Sequence, residues 1–146
     1  MAASWLVKQE PQTYSFARLV DDRTTVWDGV RNAQARNNLA AMAVGDVVLY
    51  YHSGDEKAVV GIARVSKAAF PDPSADDPRW VAVELEAVKP FASAVSLATI
   101  KAEPRLTENG LVRQSRLSVI PLAKAELSLL LAMGKTRITA RDREPR

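Results

Sequence analysis

Short runs of β-branched and aromatic residues alternate along the chain with stretches of helical spacing, and turn residues punctuate both. Ser4-Trp5-Leu6-Val7-Lys8 ends ahead of Pro11 and predicts a strand. Ser15 stands where a cap belongs, before a short helix through Leu19 and Val20. Thr24-Thr25-Val26-Trp27 predicts a second strand, stopped by the turn dipeptide Asp28-Gly29. A helix is expected from about Val30 to Met42. Asn32, Asn37 and Asn38 form helices poorly, so some of them should be there for their side-chain amides.

Val47 to His52 is the clearest strand. The turn Ser53-Gly54-Asp55-Glu56 should return it antiparallel into Ala58–Val65, where Gly61 in mid-strand predicts a bulge or a close backbone approach. Phe70 to Pro78 reads as a proline-rich acidic loop, and Trp80 to Val88 alternates as a half-buried strand. Ser96 should cap a short helix through Ile100 and Ala102, stopped before Pro104. Leu117 to Pro121 predicts a last strand. Ala123 to Met133 predicts an amphipathic helix closed by Gly134 at C′. The expected fold class is α+β, one domain over residues 1–134, with a small curved sheet or barrel and helices packed on it.

The chain has 146 residues, enough to bury roughly 70% of its unfolded surface without staples. It has no cysteine and one histidine, which excludes thiol nucleophiles, Cys-ligated metals and His clusters. No metal and no cofactor are expected. No apolar run approaches the ~20 residues of a membrane span, and no signal sequence opens the chain, so a cytoplasmic protein with no membrane partner is expected.

The formal charge of +3 is concentrated at the end. Residues 135–146 carry five bases (Lys135, Arg137, Arg141, Arg143, Arg146) against Asp142 and Glu144, which leaves residues 1–134 neutral. A neutral body argues against phosphate binding over the whole surface and allows a local site. The basic end reads as a poorly ordered, solvated terminus or as an auxiliary nucleic-acid arm.

Enzyme signatures are sparse. His52 has no G-x-S-x-G elbow to serve, no glycine-rich phosphate loop occurs, and Asp21-Asp22 and Asp76-Asp77 lie in expected loops. One segment, Trp27-Asp28-Gly29-Val30-Arg31-Asn32-Ala33-Gln34-Ala35-Arg36-Asn37, gathers a large π-face, a carboxylate, a tight turn, guanidinium groups and amides. Those groups suit stacking on a base, meeting phosphate and reading base edges. They equally suit a core tryptophan, a capped helix and a wet helix face. A second cluster, Leu111 to Val119, sets Arg113 and Arg116 among hydrogen-bonding residues and reads either as a binding loop or as a solvated one.

Several strings together resemble the EVE domain family: Trp5-Leu6-Val7-Lys8-Gln9-Glu10-Pro11, Tyr14-Ser15-Phe16, Trp27-Asp28-Gly29-Val30-Arg31-Asn32, Gln34-Ala35-Arg36-Asn37-Asn38-Leu39, Tyr51-His52-Ser53-Gly54, Phe70-Pro71-Asp72 and Arg113-Gln114-Ser115-Arg116-Leu117-Ser118-Val119. The resemblance runs from about Ser4 to Gly134. It implies a PUA-like fold, a small mixed or antiparallel β-barrel flanked by helices, with kinship to YTH and ASCH domains. It also implies a reader of a modified base, cytosine in DNA or a base in RNA, taken out of its stack into a pocket. Trp27 would then be the stacking wall, with Tyr50 and His52 as further lining from one strand face. Asp28, Asn32 and Ser53 would read the polar edge around the Gly29 turn. Lys8, Arg31 and Arg116 would meet phosphate or a base carbonyl, with Ser118 a nearby donor. The alternative is an enzyme of the ASCH kind acting on nucleic acid or modified nucleosides, with Lys8 and Glu10 or Asp28 as base and acid.

Overall fold

A computed structural model describes residues 3–143. Its centre is one six-stranded mixed sheet in the order β2-β5-β4-β3-β1-β6. The strands are β1 (Ser4–Gln9), β2 (Thr24–Trp27), β3 (Val47–His52), β4 (Ala58–Pro71), β5 (Val81–Ser96) and β6 (Val119–Leu122). The helices are α1 (Pro11–Tyr14), α2 (Phe16–Asp22), α3 (Ala33–Ala41), α4 (Leu97–Lys101), α5 (Gly110–Arg113) and α6 (Lys124–Met133). The class is α+β, as the alternation of patterns predicted.

The central pairing makes the sheet mixed. β1 runs parallel to β3, with Val7 opposite Tyr50 and Lys8 opposite Tyr51, and antiparallel to β6. A parallel neighbour needs a long crossover, here supplied by α1, α2, β2 and α3. β4 and β5 form a long hairpin that outruns both expected strands. It is bent at four register breaks, and Pro90 is tolerated in β5 beside two of them.

That bending curls the sheet. α3 packs on β4, β5 and β6 at once, although β5 and β6 stand far apart in strand order. The hydrogen-bonded ladder therefore curves so that β4, β5 and β6 all reach α3. The core beneath is fully buried at Leu6, Leu19, Leu39, Leu49, Ile62 and Leu85. Gly61 is a close-approach glycine: a Cβ there would lie 2.5 Å from the Phe16 ring. Ser15 caps α2 by accepting from Arg18 N, Ser96 caps α4, and Asn32 caps α3 by accepting from Ala35 N, which moves the start of that helix from Val30 to Ala33.

Two expectations about the C-terminal end need correction. Gly134 has φ −81°, and the left-handed residue after α6 is Lys135 at φ 54°. Gly134 is required for space, since a Cβ would lie 2.4 Å from the Phe91 ring. The segment after it, read as a solvated terminus, is tied to the sheet over its described part. Ile138 packs on the core, Thr136 Oγ1 accepts from Ala92 N at 2.8 Å, and Asp142 pairs with Lys89. Lys89 and the Thr139 N–H hold the Asp142 carboxyl down to about 2. The buried Arg64 donates both to Glu86 and to the Asp142 carbonyl. Residues 144–146 lie outside the described residues.

Candidate functional site

Two groups of the expected site residues are assembled, one at the N-terminus of α3 and one at the end of β1. The first is the loop from Trp27 to Asn32. Gly29 adopts φ +76°, a conformation that favours glycine, and its N–H donates to Asp72 Oδ2 at 2.8 Å. Arg31 Nη1 donates to the same oxygen at 2.9 Å, while Ser74 N and Ser74 Oγ donate to Oδ1 at 2.7 and 2.6 Å. Asp72 is thus a buried clasp on this loop. Burial opposes its ionisation, but the donors from Ser74, Arg31 and Gly29 outweigh that and hold its pKa well below the usual carboxylate range.

The sequence places Asp72 in the Phe70-Pro71-Asp72 string without a role of its own. The signal for it is local: Asp-Pro-Ser lets the carboxylate accept from the N–H two residues on. The alternation from Trp80 to Val88 likewise marks Trp80 only as the start of a strand. It is half-buried ahead of β5, with the guanidinium carbons of Arg31 and Arg36 at 5.7 and 5.3 Å from its ring centroid, within cation–π range.

The second group lies where β1 ends between β3 and β6. Lys8 N donates to Ser118 O at 3.0 Å, Lys8 Nζ donates to Ser115 O at 2.6 Å, and Ser53 N donates to Gln9 O at 3.0 Å. Partial burial lowers the Lys8 pKa, and its ammonium stands 5.9 Å from the Tyr51 ring centroid. Arg116 is exposed and makes no side-chain hydrogen bond or ion pair among the described residues. α3 links the groups: its cap Asn32 belongs to the first, and Asn38 Nδ2 donates at 2.7 Å to Val119 O, next to Ser118.

Tyr50 and His52 do not line an open pocket. They share a face of β3 as alternation requires, but β3 is buried on both faces. Tyr50 is fully buried, its hydroxyl donates to Tyr14 O, and burial pushes its pKa well up. His52 is held at both nitrogens. Nε2 accepts from Phe16 N at 3.0 Å, so the ring proton sits on Nδ1 and is donated to Glu56 Oε1 at 2.8 Å.

Trp27 is also mostly covered, 6% exposed and edge-to-face with Tyr50 at 5.5 Å. Its indole N–H has no acceptor among the described residues and is not among the sealed, unpaired atoms, so that edge of the ring meets solvent. Asp28 beside it is exposed and has no side-chain partner there.

The model of the EVE domain matches residues 3–133, nearly all of the chain. The chain belongs to the EVE domain family. Human thymocyte nuclear protein 1 is 30% identical to this EVE domain, in an alignment covering 91% of the chain and 74% of the relative. A solved structure from Rhodopseudomonas palustris is 42% identical at a TM-score of 0.87, covering 92% of this chain and 94% of that one. The human THYN1 protein, solved in complex with 5-methylcytosine-containing DNA, matches at a TM-score of 0.86 and 29% identity, covering 93% of this chain and 99% of that one. Among the described residues of this EVE domain, no helix is long and apolar enough to cross a membrane, and no three His, Asp or Glu side chains gather as a metal site would need.

Proposed function

We propose that this EVE domain binds nucleic acid and reads a modified cytosine in DNA, without turning it over. The observation that carries the reading is the likeness, over 93% of the chain, to a protein solved with 5-methylcytosine-containing DNA. The local chemistry supports it. The indole N–H of Trp27, the Asp28 carboxylate and the amide hydrogens of Asn32, each without a partner among the described residues, offer donor and acceptor groups to a base edge. Arg116, Lys8 and the half-exposed Arg31 supply positive charge on either side for phosphates. Trp80 is half-buried beside them and holds the two guanidinium groups of Arg31 and Arg36 over its ring. A base in a duplex hides the edge and face these groups would meet, so the base is taken out of its stack.

Two of the three tryptophans provide the test. Trp5 donates its indole N–H to the buried Asp46 at 3.0 Å, whereas Trp27 has no acceptor among the described residues. On titration of 15N-labelled protein with a short 5-methylcytosine oligonucleotide, the Trp27 indole signal should move saturably and the Trp5 signal should stay. Mass spectrometry of the recovered oligonucleotide should find it unchanged. A stationary Trp27 signal at saturation removes the site, and a mass change in the oligonucleotide would favour the enzyme reading.

A further inference from the structure

A cleft of about 270 Å³ opens between α3, α5 and β6, lined in part by the 114–118 loop whose Ser115 accepts from Lys8. Its lining includes Gln34, Asn38, Asn109, Arg113, Gln114 and Leu117. We propose that this cleft is a second site, for an uncharged nucleobase or nucleoside. The proposal does not depend on the reading of the Trp27 surface.

The argument starts from Asn109, which is 5% exposed and carries the one buried side-chain polar atom without a hydrogen-bond partner among the described residues, Nδ2. The orientation of this amide is fixed, because Oδ1 accepts from Leu111 N at 2.8 Å and only an oxygen can do that. A buried donor left unpaired is costly and rare, so this one calls for an acceptor from outside the chain. Asn38 across the cleft is fixed in the opposite sense. Its Nδ2 is used on Val119 O, which leaves Oδ1 as an acceptor.

The cleft lining therefore includes Asn109, whose donor is fixed and unpaired, and Asn38, whose acceptor is fixed, with the adaptable amides of Gln34 and Gln114 beside them. Nucleobase edges carry donors next to acceptors in this way. The volume is about nine times the ~30 Å³ share of one water, and it lies just under the ~300 Å³ at which drug-sized pockets begin. Charge points away from phosphate. The cleft holds one guanidinium, Arg113, already facing Glu108 at 3.4 Å, and a second carboxylate, Glu126. Gln114 and Leu117 line the cleft while Ser115 and Ser118 of the same loop accept from Lys8, so a strand crossing the loop would meet both sites.

The test follows the side-chain amide signals of Asn109 and Gln114 in the full chain. The probes are deoxycytidine, deoxyadenosine, deoxyguanosine and thymidine, each alone, and then a short single-stranded oligonucleotide. The signals should shift saturably with at least one probe. Shifts with nucleosides make this a small-molecule site, and shifts with the oligonucleotide alone place the base in a bound strand. Asn109→Asp keeps the acceptor for Leu111 and removes the donor, so it should weaken that binding about tenfold or more. Gln114→Ala, at an exposed position, should weaken it too and covers the case in which Asn109→Asp fails to fold. Unmoved signals with every probe, or unchanged affinity in folded variants, overturn the proposal. If the oligonucleotide moves the Trp27 indole and no probe moves Asn109, the second site falls and the reader stands; the reverse result sinks the Trp27 site alone.

Discussion

Asp72→Ala removes the group on which the 27–32 loop is folded. The lost carboxylate accepts from Gly29 N, Ser74 N, Ser74 Oγ and Arg31 Nη1, at 2.6 to 2.9 Å, and its side chain has no exposure. Hydrogen bonds to a charged group contribute about 1.5–3 kcal/mol each, but they do not add. The Arg31 side chain is 41% exposed, so its ion pair is largely compensated by water and contributes under about 1 kcal/mol. Gly29 and Ser74 are exposed residues, so water recovers part of their loss as well. The expected cost is about 2–3 kcal/mol, read as a lower urea midpoint at unchanged slope. Asp72→Asn keeps one acceptor and should fall between. The pH dependence has a definite sign. An unfolded Asp titrates near 3.9, and the folded group lies well below the usual range. Its stabilisation is complete above the unfolded value and is lost as pH falls through the folded one. The gap between parent and Asp72→Ala should therefore be flat above about pH 5 and shrink below about pH 4. A gap within about 0.5 kcal/mol at pH 7, or one that does not shrink in acid, refutes the clasp.

Gly61→Ala places a Cβ 2.5 Å from the Phe16 ring and should cost about 1–3 kcal/mol by overpacking; a midpoint equal to the parent's would show that Phe16 can move aside. Arg116→Ala should leave stability within about 0.5 kcal/mol, since the side chain is exposed and unpartnered. The same variant should weaken oligonucleotide binding equally for modified and unmodified sequences, and lower the salt slope by about one. An unchanged slope removes Arg116 from the phosphate contacts. Deleting residues 135–146 uncovers the apolar contact of Ile138 and takes partners from Ala92 N, Lys89 and Arg64. It should lower stability by about 2 kcal/mol, and a truncated protein with the parent's urea midpoint would return the segment to a solvated terminus.

Local chemistry was the readable part of this sequence. Ser15, Ser96 and the turn at Asp28-Gly29 mark element ends through short-range hydrogen bonds or φ preferences, and Gly61 marks a close approach. The surplus asparagines of α3 do serve as amides, Asn32 as cap and Asn38 on β6. The parallel pairing of β1 with β3 was hidden because it joins segments some forty residues apart, and local pattern holds no information on that neighbour. Alternation placed Tyr50 and His52 on one face of β3 but could not tell a pocket wall from a core, since both faces of that strand are buried. Asp72 and Trp80 act on a loop more than forty residues upstream, so the role of neither appears until the chain is folded.

The central claim is that this EVE domain distinguishes a modified cytosine from its parent. The direct measurement is the affinity ratio for 5-methylcytosine and cytosine at one position of otherwise identical oligonucleotides, as DNA and as RNA, at a single salt concentration, because the phosphate contribution moves steeply with salt. The same ratio is then taken for Trp27→Leu, which keeps the apolar burial and removes the indole N–H edge. The parent should favour the modified DNA, and Trp27→Leu should bring the ratio to one while binding to unmodified DNA persists. A parent ratio of one on both DNA and RNA, or a preference that survives in Trp27→Leu, contradicts the account.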